Sequence, residues 1–287
     1  MKGLLQSLFV VFAAVGFLAC SDDHDEPELD STPKMLASDM DALRDIYSAL
    51  DMDDEYYPVH WDLDDPSTWE GIELDTIVDG ETAQKAVVVK SMTLYLAKPG
   101  AELPDSLKNL SYLYELKIYG CGLSLFDGRK IPNTVKELLV DRIDPDDPNY
   151  IVGISGKSIT SPNEYEVSLN YWAQYKKITI HGVQMNRIGF NSAINADIDL
   201  SYNTLSGVVN DIFTTYLNHP ADLSHNRFSS FDFSWKYLIS DEMPLRRMPN
   251  LQYNKFEEIP DYVLESDFWK AYHDRFIGNE GYVAPVK

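Results

Sequence analysis

Two aspartates at matching positions of similar phrases could do acid–base chemistry. Asp199 begins the phrase Asp-Leu-Ser-Tyr-Asn, and Asp222 begins the phrase Asp-Leu-Ser-His-Asn. They fall on neighbouring repeats in equivalent register, so their side chains could share one surface. A carboxylate-dependent hydrolase needs two carboxylates across one cleft, about 5–10 Å apart. Since no other pattern indicates such a cleft, hydrolysis by Asp199 and Asp222 is an alternative hypothesis for this chain.

Metal binding is a second chemistry that the acidic residues could support. His225 lies three positions after Asp222, a spacing open to a metal or acid–base pair, although both are more simply outward residues of one repeat. The acidic clusters 51–55 and 144–147 each resemble a loose calcium site, but neither has the ligand spacing or the glycine of an EF-hand loop. We expect no metal and no cofactor, and calcium stays open as the alternative to solvated loop acids.

Catalytic motifs of other classes are not found in the sequence. It contains no His-Glu-x-x-His, no Gly-x-Ser-x-Gly, no phosphate-binding glycine loop and no paired cysteine motif. Its two cysteines are Cys20 and Cys121, and we expect no disulfide within the chain. The net charge of −22 argues against binding of nucleic acid or of an anionic membrane surface. The sequence therefore predicts a protein that is not an enzyme.

Asp199, Asp222 and His225 lie in or directly before copies of one phrase, Leu-x-x-Asn-x-(Leu/Phe). Its asparagines are Asn203, Asn226 and Asn254. Alternating apolar residues before each asparagine predict a short strand with one face inward. The asparagine is expected to turn into the core, where its amide satisfies backbone groups of the bend. A single repeat cannot bury its own apolar face, so successive repeats must stack.

This phrase resembles the leucine-rich repeat, Leu-x-x-Leu-x-Leu-x-x-Asn-x-Leu. The resemblance implies an α/β repeat fold, a solenoid with short parallel strands on its concave side and an irregular or helical convex side. Earlier repeats with the same spacing begin near Val89, Leu113, Ile131 and Tyr175, which gives about seven in total. Cys121 falls where the family allows asparagine or cysteine, so we expect it to be a buried bend residue and not a nucleophile.

The N-terminus is predicted to be a bacterial lipoprotein signal. Residues 1–19 contain an apolar run too short for an ordinary transmembrane helix. The run ends in Phe-Leu-Ala-Cys20, which resembles a lipobox and implies lipidation of Cys20; a secreted protein with a chance cysteine is the alternative. Residues 20–34 form an acidic tether resembling the export signal of surface lipoproteins of Bacteroidota-type bacteria. The resemblance implies a lipid anchor in the outer membrane and exposure at the cell surface.

Two segments are predicted to cover the ends of the repeats. In residues 35–74, apolar residues at helical spacing predict a helix with Ser38 as its N-cap, followed by Trp61 and Trp69. This segment resembles the cap that precedes plant-type repeats, and a carbohydrate-binding aromatic pair is the alternative. Residues 261–287 are predicted to form a C-terminal cap and tail.

The repeats themselves are assigned to residues 75–260. Within them, residues 144–174 break the pattern and are interpreted as an irregular repeat or an insertion.

The residues between the inward apolar positions are expected to form a binding face. In leucine-rich repeats these positions point outward on the concave side, and here they are rich in tyrosine and small polar residues. The face suggests a non-enzymatic recognition protein with a protein or glycan partner; a structural subunit of an outer-membrane assembly is an alternative. The candidate residues are Tyr95, Lys117, Tyr119, Asp141, His181, Asp199, Ser201, Tyr202, Asp222, Ser224, His225, Gln252 and Tyr253.

Overall fold

The computed structural model of the chain divides into two units, Met1–Thr32 and Pro33–Lys287. It describes residues 32–50, 61–65, 68–80, 84–95, 101–120, 123–125, 127–141, 143–144, 147–151, 166–167, 174–182, 187–188, 194–209, 218–231 and 248–285. The predictions for residues 1–31, for the cluster 51–55, for Cys121 and for most of 144–174 lie outside these residues. Everything below concerns the second unit.

The second unit is built mainly from short strands. The strands are β1 Lys34–Met35, β2 Ile72–Val78, β3 Lys85–Tyr95, β4 Ala101–Glu102, β5 Glu115–Tyr119, β6 Leu123–Leu125, β7 Glu137–Asp141, β8 Ile143–Asp144, β9 Asp147–Ile151, β10 Glu166–Val167, β11 Lys177–His181, β12 Arg187–Ile188, β13 Asp197–Asp199, β14 Ser206–Val209 and β15 Arg227–Phe231. The α-helices are α1 Ala37–Ala49, α2 Asp261–Leu264 and α3 Asp267–Tyr272, and 3₁₀ turns span Asp105–Asn109, Gly128–Lys130 and His273–Phe276.

One seven-stranded sheet holds the repeats in register. Its order is β1-β3-β5-β7-β11-β13, with β2 also paired to β3. All of these pairs are parallel except the antiparallel β2–β3 pair. Single parallel bridges from Asp199 to Asp222 and from Asp222 to Asn250 continue the order beyond β13. The predicted short parallel strands are confirmed.

Period-two alternation in each strand explains this sheet. In β5, Leu116 and Ile118 are buried while their neighbours are half-buried, and Leu138 and Val140 repeat the pattern in β7. Side chains of alternate residues leave a strand on opposite faces, so each strand contributes one inward pair to a shared core. After the strand, a 3₁₀ turn brings Leu107 into the same core.

Buried asparagines join the later repeats to the ones before them. Asn226 donates its Nδ2 hydrogens to Leu200 O (2.8 Å) of the preceding repeat and to Leu223 O (3.1 Å) of its own. Its Oδ1 accepts the N–H of Leu205 at 3.0 Å, again from the preceding repeat. Asn254 makes the equivalent bonds one repeat later. One side chain therefore satisfies backbone groups of two repeats, which would otherwise be buried without partners.

A fourth asparagine of this kind lies in the segment predicted to be the C-terminal cap. Asn279 donates to Leu251 O (2.9 Å) and to Phe276 O (2.8 Å), and its Oδ1 accepts the N–H of Phe256 (3.3 Å). The pattern Phe-x-x-Asn is present at 276–279. The apolar residues before it have helical spacing, so the sequence predicted a helical cap there and not a repeat bend. The cap thus includes one further repeat bend.

The N-terminal segment differs from its prediction in two ways. The N-cap at Ser38 is wrong, because α1 begins at Ala37 with Leu36 in the cap position and no side-chain cap bond. Asp39 is fully buried and accepts the N–H of Val89 at 2.9 Å. Burial raises the pKa of its carboxyl, and the bond from Val89 only partly offsets this. The second difference is strand β2, which no sequence pattern indicated.

Both tryptophans of the N-terminal segment pack into the core. Trp61 and Trp69 are each 4% exposed, with ring centroids 6.1 Å apart. Their indole N–H groups donate to Glu70 O (3.1 Å) and Asp62 O (2.6 Å). Rings covered this completely offer no platform to a sugar, so the contacts favour the capping role.

The C-terminal segment also closes over an aromatic core. Ser266 caps α3 by accepting the N–H of Trp269 at 3.1 Å. Trp269 is buried against Phe276 with centroids 5.3 Å apart, and its indole donates to Val283 O at 2.9 Å. No helix in the described part of the chain has the length and apolarity needed to cross a membrane.

Replacing Asn226 by alanine tests the asparagine bonds. Asn226→Ala removes partners from buried backbone groups of two repeats and should lower the free energy of unfolding by about 1–3 kcal/mol. Denaturant unfolding followed by circular dichroism measures the change. Asn109→Ala, at an exposed asparagine, is the control and should shift it by less than about 0.5 kcal/mol. Equal effects of both substitutions would contradict the structural role of Asn226.

Candidate binding face

The outward positions of the sheet fall into three rows that cross the strands. Residues in one row pair with one another across neighbouring strands, or occupy the matching position in the repeats beyond the last strand. Neighbouring strands are about 4.8 Å apart. The first row is Ser91, Glu115, Glu137, Lys177 and Asp197; the middle row is Thr93, Lys117, Leu139, Thr179, Asp199, Asp222 and Asn250; the last row is Tyr95, Tyr119, Asp141, His181, Ser201, Ser224 and Gln252. We call this surface the outward face.

A fourth row lies just beyond the strands, at the position directly before the bend residue of each repeat. At six of these positions φ is positive: Gly120 (94°), Gly182 (70°), Tyr202 (55°), His225 (54°), Tyr253 (54°) and Gly278 (84°). Left-handed backbone is natural for glycine and uncommon for other residues. The three aromatic residues are held there by parallel bonds to the next repeat. Their N–H groups donate to Ser224 O (3.2 Å), Gln252 O (3.0 Å) and Ile277 O (2.9 Å).

These three residues stack into what we call the aromatic ladder: Tyr202, His225 and Tyr253. The centroids of Tyr202 and His225 are 4.2 Å apart with an interplanar angle of 8°, and those of His225 and Tyr253 are 4.5 Å apart at 15°. The ladder ends on Gly278, where a Cβ atom would lie 2.6 Å from Tyr253 Cε1. Glycine at 278 therefore lets the Tyr253 ring lie flat against the backbone.

A stacked pair of tyrosines lies at the other end of the face. Tyr95 and Tyr119 are stacked with centroids 5.5 Å apart and an interplanar angle of 16°. Tyr95 is 49% exposed, and Tyr253 at the far end is 48% exposed. Lys117 lies beside the pair and is held by Glu115 at 2.8 Å. The face thus presents a half-exposed tyrosine at each end.

His181 lies between two carboxylates in the centre of the face. Its Nε2 is 3.2 Å from Asp199 Oδ1, and its Nδ1 is 3.8 Å from Asp141 Oδ2, an ion-pair distance longer than a hydrogen bond. Burial disfavours the protonated ring, but Asp141 and Asp199 outweigh it and raise the pKa of His181 to about 9. At neutral pH the ring is an imidazolium that links β7, β11 and β13.

Ser201 completes a constellation that looks like a serine–histidine–aspartate triad. Its Oγ lies 3.3 Å from His181 Nε2, but it donates its hydrogen to Asp199 Oδ1 at 2.7 Å. A serine nucleophile needs a neutral histidine that can take its proton. With a pKa of about 9, His181 is already protonated at neutral pH. The three residues are arranged as a charge-neutralising cluster, and not as an activated nucleophile.

The two candidate catalytic aspartates are each engaged with their own repeat. Asp199 Oδ1 accepts the N–H of Ser201 at 3.0 Å, and Asp222 Oδ1 accepts the N–H of Ser224 at 2.9 Å. Both oxygens of Asp222 lie 3.2 Å from Asn250 Nδ2. Burial alone would raise the pKa of Asp199, but the bond from His181 lowers it below its usual value. A carboxylate of low pKa is unsuited to donate a proton at neutral pH.

The structure buries two of the sequence-based site residues, Ser201 and Ser224, which are 4% and 5% exposed. The ladder residues Tyr202 and His225 are half-buried. Gln252 reaches the next repeat, donating to Asp274 O at 2.7 Å.

Two residues that support the site are not among the candidates from the sequence. Asn250 holds the Asp222 carboxylate, and Gly278 supports the Tyr253 ring. Glycine also stands directly before the bend residue at positions 120 and 182, and this repetition could have identified Gly278.

Among the described residues, no group of three or more His, Cys, Asp or Glu is arranged to hold an ion. Asp144 and Asp147, the ends of one candidate calcium loop, are paired across the antiparallel strands β8 and β9.

Comparisons with known proteins add little to this picture. No protein-family model matches the chain, and no curated protein matches it. Among solved structures, the chain is similar to the leucine-rich-repeat ectodomain of the receptor kinase SOBIR1 from Arabidopsis thaliana. The identity is 13% and the TM-score 0.32, over 70% of this chain and 93% of that chain. At this distance the likeness carries no argument, so the proposals below rest on the residues of this chain.

The His181 cluster predicts a loss of stability at alkaline pH. The folded-state pKa of about 9 lies above the ordinary 6.5, so the stabilisation is complete below pH 6.5 and is lost as pH rises through 9. Its size is on the order of 3 kcal/mol. Unfolding free energies measured between pH 6 and pH 10 should fall for the wild type and fall less for His181→Gln. Parallel curves for the two proteins would show that His181 is not held as an imidazolium.

Proposed function

We propose that the chain is a leucine-rich-repeat solenoid whose concave side is the outward face. The stacked parallel register, the asparagines that bond two repeats at a time and the left-handed residue before each bend support this. Each central strand pairs with the strands of the neighbouring repeats, and the last repeats also share asparagine bonds, as expected of a solenoid. The half-buried strand positions then line one continuous surface.

We further propose that this surface is a non-enzymatic recognition site for a macromolecular partner. The observation that carries the proposal is a pair of stacked aromatic groups, Tyr95–Tyr119 and the aromatic ladder, which lie at opposite ends of the face and each contain a half-exposed tyrosine. Six strand spacings of about 4.8 Å separate the two ends, a span of about 29 Å. Aromatic side chains fixed by stacking lose little conformational entropy on binding, and they dominate the energetics of many interfaces.

The chemistry of the face supports binding over catalysis. Asp199 is held by Ser201 and by His181 Nε2, and the pKa of Asp199 is lowered rather than raised. A glycosidase acid needs a carboxyl whose pKa is raised toward neutrality. The hydrolase hypothesis built on Asp199 and Asp222 is therefore the weaker one.

We propose that the protein acts at the outer membrane and is exposed at the cell surface. The Leu-Ala-Cys20 sequence at the end of an apolar leader supports lipidation at Cys20, and the acidic residues that follow support surface export. The acyl chains would hold the protein at the membrane while the repeats face outward.

Affinity capture tests the proposed binding face. The full-length chain in detergent serves as bait against outer-membrane extract and against host mucus or matrix proteins. Tyr253→Asn removes an exposed ring and keeps a residue that tolerates left-handed backbone, and Tyr95→Thr removes the ring at the opposite end. The matched control is Tyr112→Asn, which removes a tyrosine of 43% exposure outside the four rows.

The wild type and Tyr112→Asn should retain the same partner. The two face variants should lose at least about 90% of it, a cost of roughly 1.4 kcal/mol or more. Retention of that partner by Tyr95→Thr and Tyr253→Asn would place binding on another surface and refute the proposal. A partner from the bacterium's own membrane would favour an assembly role, and one from the host a receptor role.

Substitution of the lipidated cysteine tests the anchor. Cys20→Ala removes the thiol to which diacylglycerol would be joined, so radiolabelled palmitate should no longer be incorporated. The protein should then leave the membrane fraction. Cys121→Ala is the control and should keep both label and membrane retention. Label incorporated equally by Cys20→Ala would exclude Cys20 as the site.

A further inference from the structure

We propose that the ladder end of the outward face takes a cationic peptide segment, that is, lysine or arginine side chains of a protein partner. This inference rests on the proposed function, because it names the partner class for the same face. The ladder end comprises Asp197, Asp199 and Asp222 together with the aromatic ladder.

Ring geometry argues against a neutral sugar as the ligand here. Stacking of a pyranose requires an open aromatic face. His225 covers one face of the Tyr202 ring at 4.2 Å, and the edge of the His181 ring approaches Tyr202 with centroids 6.1 Å apart. Tyr253 lies between His225 and the backbone of Gly278. The stacked rings therefore leave little open aromatic face for a sugar.

Charge complementarity selects a cation. Asp197, Asp199 and Asp222 are outward, and Asp141 lies one row away; the described outward positions from residue 197 onward carry no lysine or arginine. The His181 imidazolium compensates one of these four carboxylates. Lys177 on β11 is the Cα partner of Asp197 and lies beside this second carboxylate, whereas Lys117 lies farther away on β5, so two negative charges remain.

Asp222 is the centre of this negative surface. Its hydrogen bonds come from neutral donors, the Ser224 N–H and the Asn250 amide, so it keeps its full charge while its position is fixed. Burial lowers the pKa of the neighbouring His225, and so that ring is uncharged at neutral pH. A guanidinium or ammonium group can pair with Asp222 through charge-assisted hydrogen bonds.

The experiment uses probes of defined charge with the full-length chain. The first probe is a fluorescent octapeptide of alternating glycine and arginine, and the second replaces each arginine with the isosteric, neutral citrulline. A neutral hexasaccharide of N-acetylglucosamine is the third. Binding is measured by anisotropy or calorimetry at about 0.15 M salt, where charges more than about 8 Å apart are screened.

Matched charge variants distinguish binding at the ladder end from general attraction of the peptide to this acidic chain. The face variant is Asp197→Asn with Asp222→Asn, and the control is Asp261→Asn with Asp267→Asn, at exposed positions on α2 and α3. Each removes two carboxylates. Asp197→Asn alone serves if the double variant unfolds, because the Asp197 side chain is 79% exposed.

The arginine peptide should bind the wild type and the control alike. The face variant should bind it at least about tenfold more weakly, and the citrulline peptide should not bind. Equal losses in both double variants, equal binding of citrulline, or binding of the oligosaccharide alone would overturn the inference.

The captured partner separates this inference from the proposed function. If its retention depends on Tyr253 but is unchanged in the face variant, the recognition role stands and the cationic partner is refuted. If retention depends on neither, both fail.

Discussion

The fold depends on one constraint: each bend turns backbone carbonyls into the core, and these need donors. The asparagine amide supplies them to two repeats at once. Asn226 reaches Leu200 O and Leu223 O, and Asn254 reaches Leu223 O and Leu251 O, so each carbonyl is shared by successive side chains. This sharing fixes the register between repeats. A one-residue slip would move every inward side chain outward as well as breaking these bonds.

The same constraint creates the candidate binding face. An asparagine that turns inward needs a sharp bend just before it, and the structure makes that bend with a left-handed residue. Glycine adopts this backbone freely, whereas tyrosine and histidine pay a conformational cost. At Tyr202, His225 and Tyr253 the cost is offset by ring stacking and by backbone bonds to the next repeat. Unfavourable local backbone is therefore concentrated in the row with the exposed aromatic rings, as is common at functional sites.

Local periodicity predicted the strands well, because the inward positions repeat every two residues and the asparagine marks each bend. It failed where contacts between distant segments decide the structure. Nothing near Asp39 indicates that its carboxylate will meet Val89 N–H, 50 residues away, and β2 is a strand because β3 offers it an open edge. In the site, register identified the outward residues. Register did not indicate that Ser201 is buried, and the role of Gly278 depends on Tyr253, one repeat earlier.

The two histidines of the face show how environment sets the charge pattern of such a surface. His181 meets two carboxylates, which raise its pKa to about 9, while stacked neighbours bury His225 and lower its pKa. At neutral pH one imidazole is therefore cationic and the other is not, and each is held by groups that complement its state. The Asp222 carboxylate is held by Ser224 and Asn250, and the rings of the aromatic ladder are held by stacking. These groups are therefore preorganised, which fits the recognition role proposed for the face.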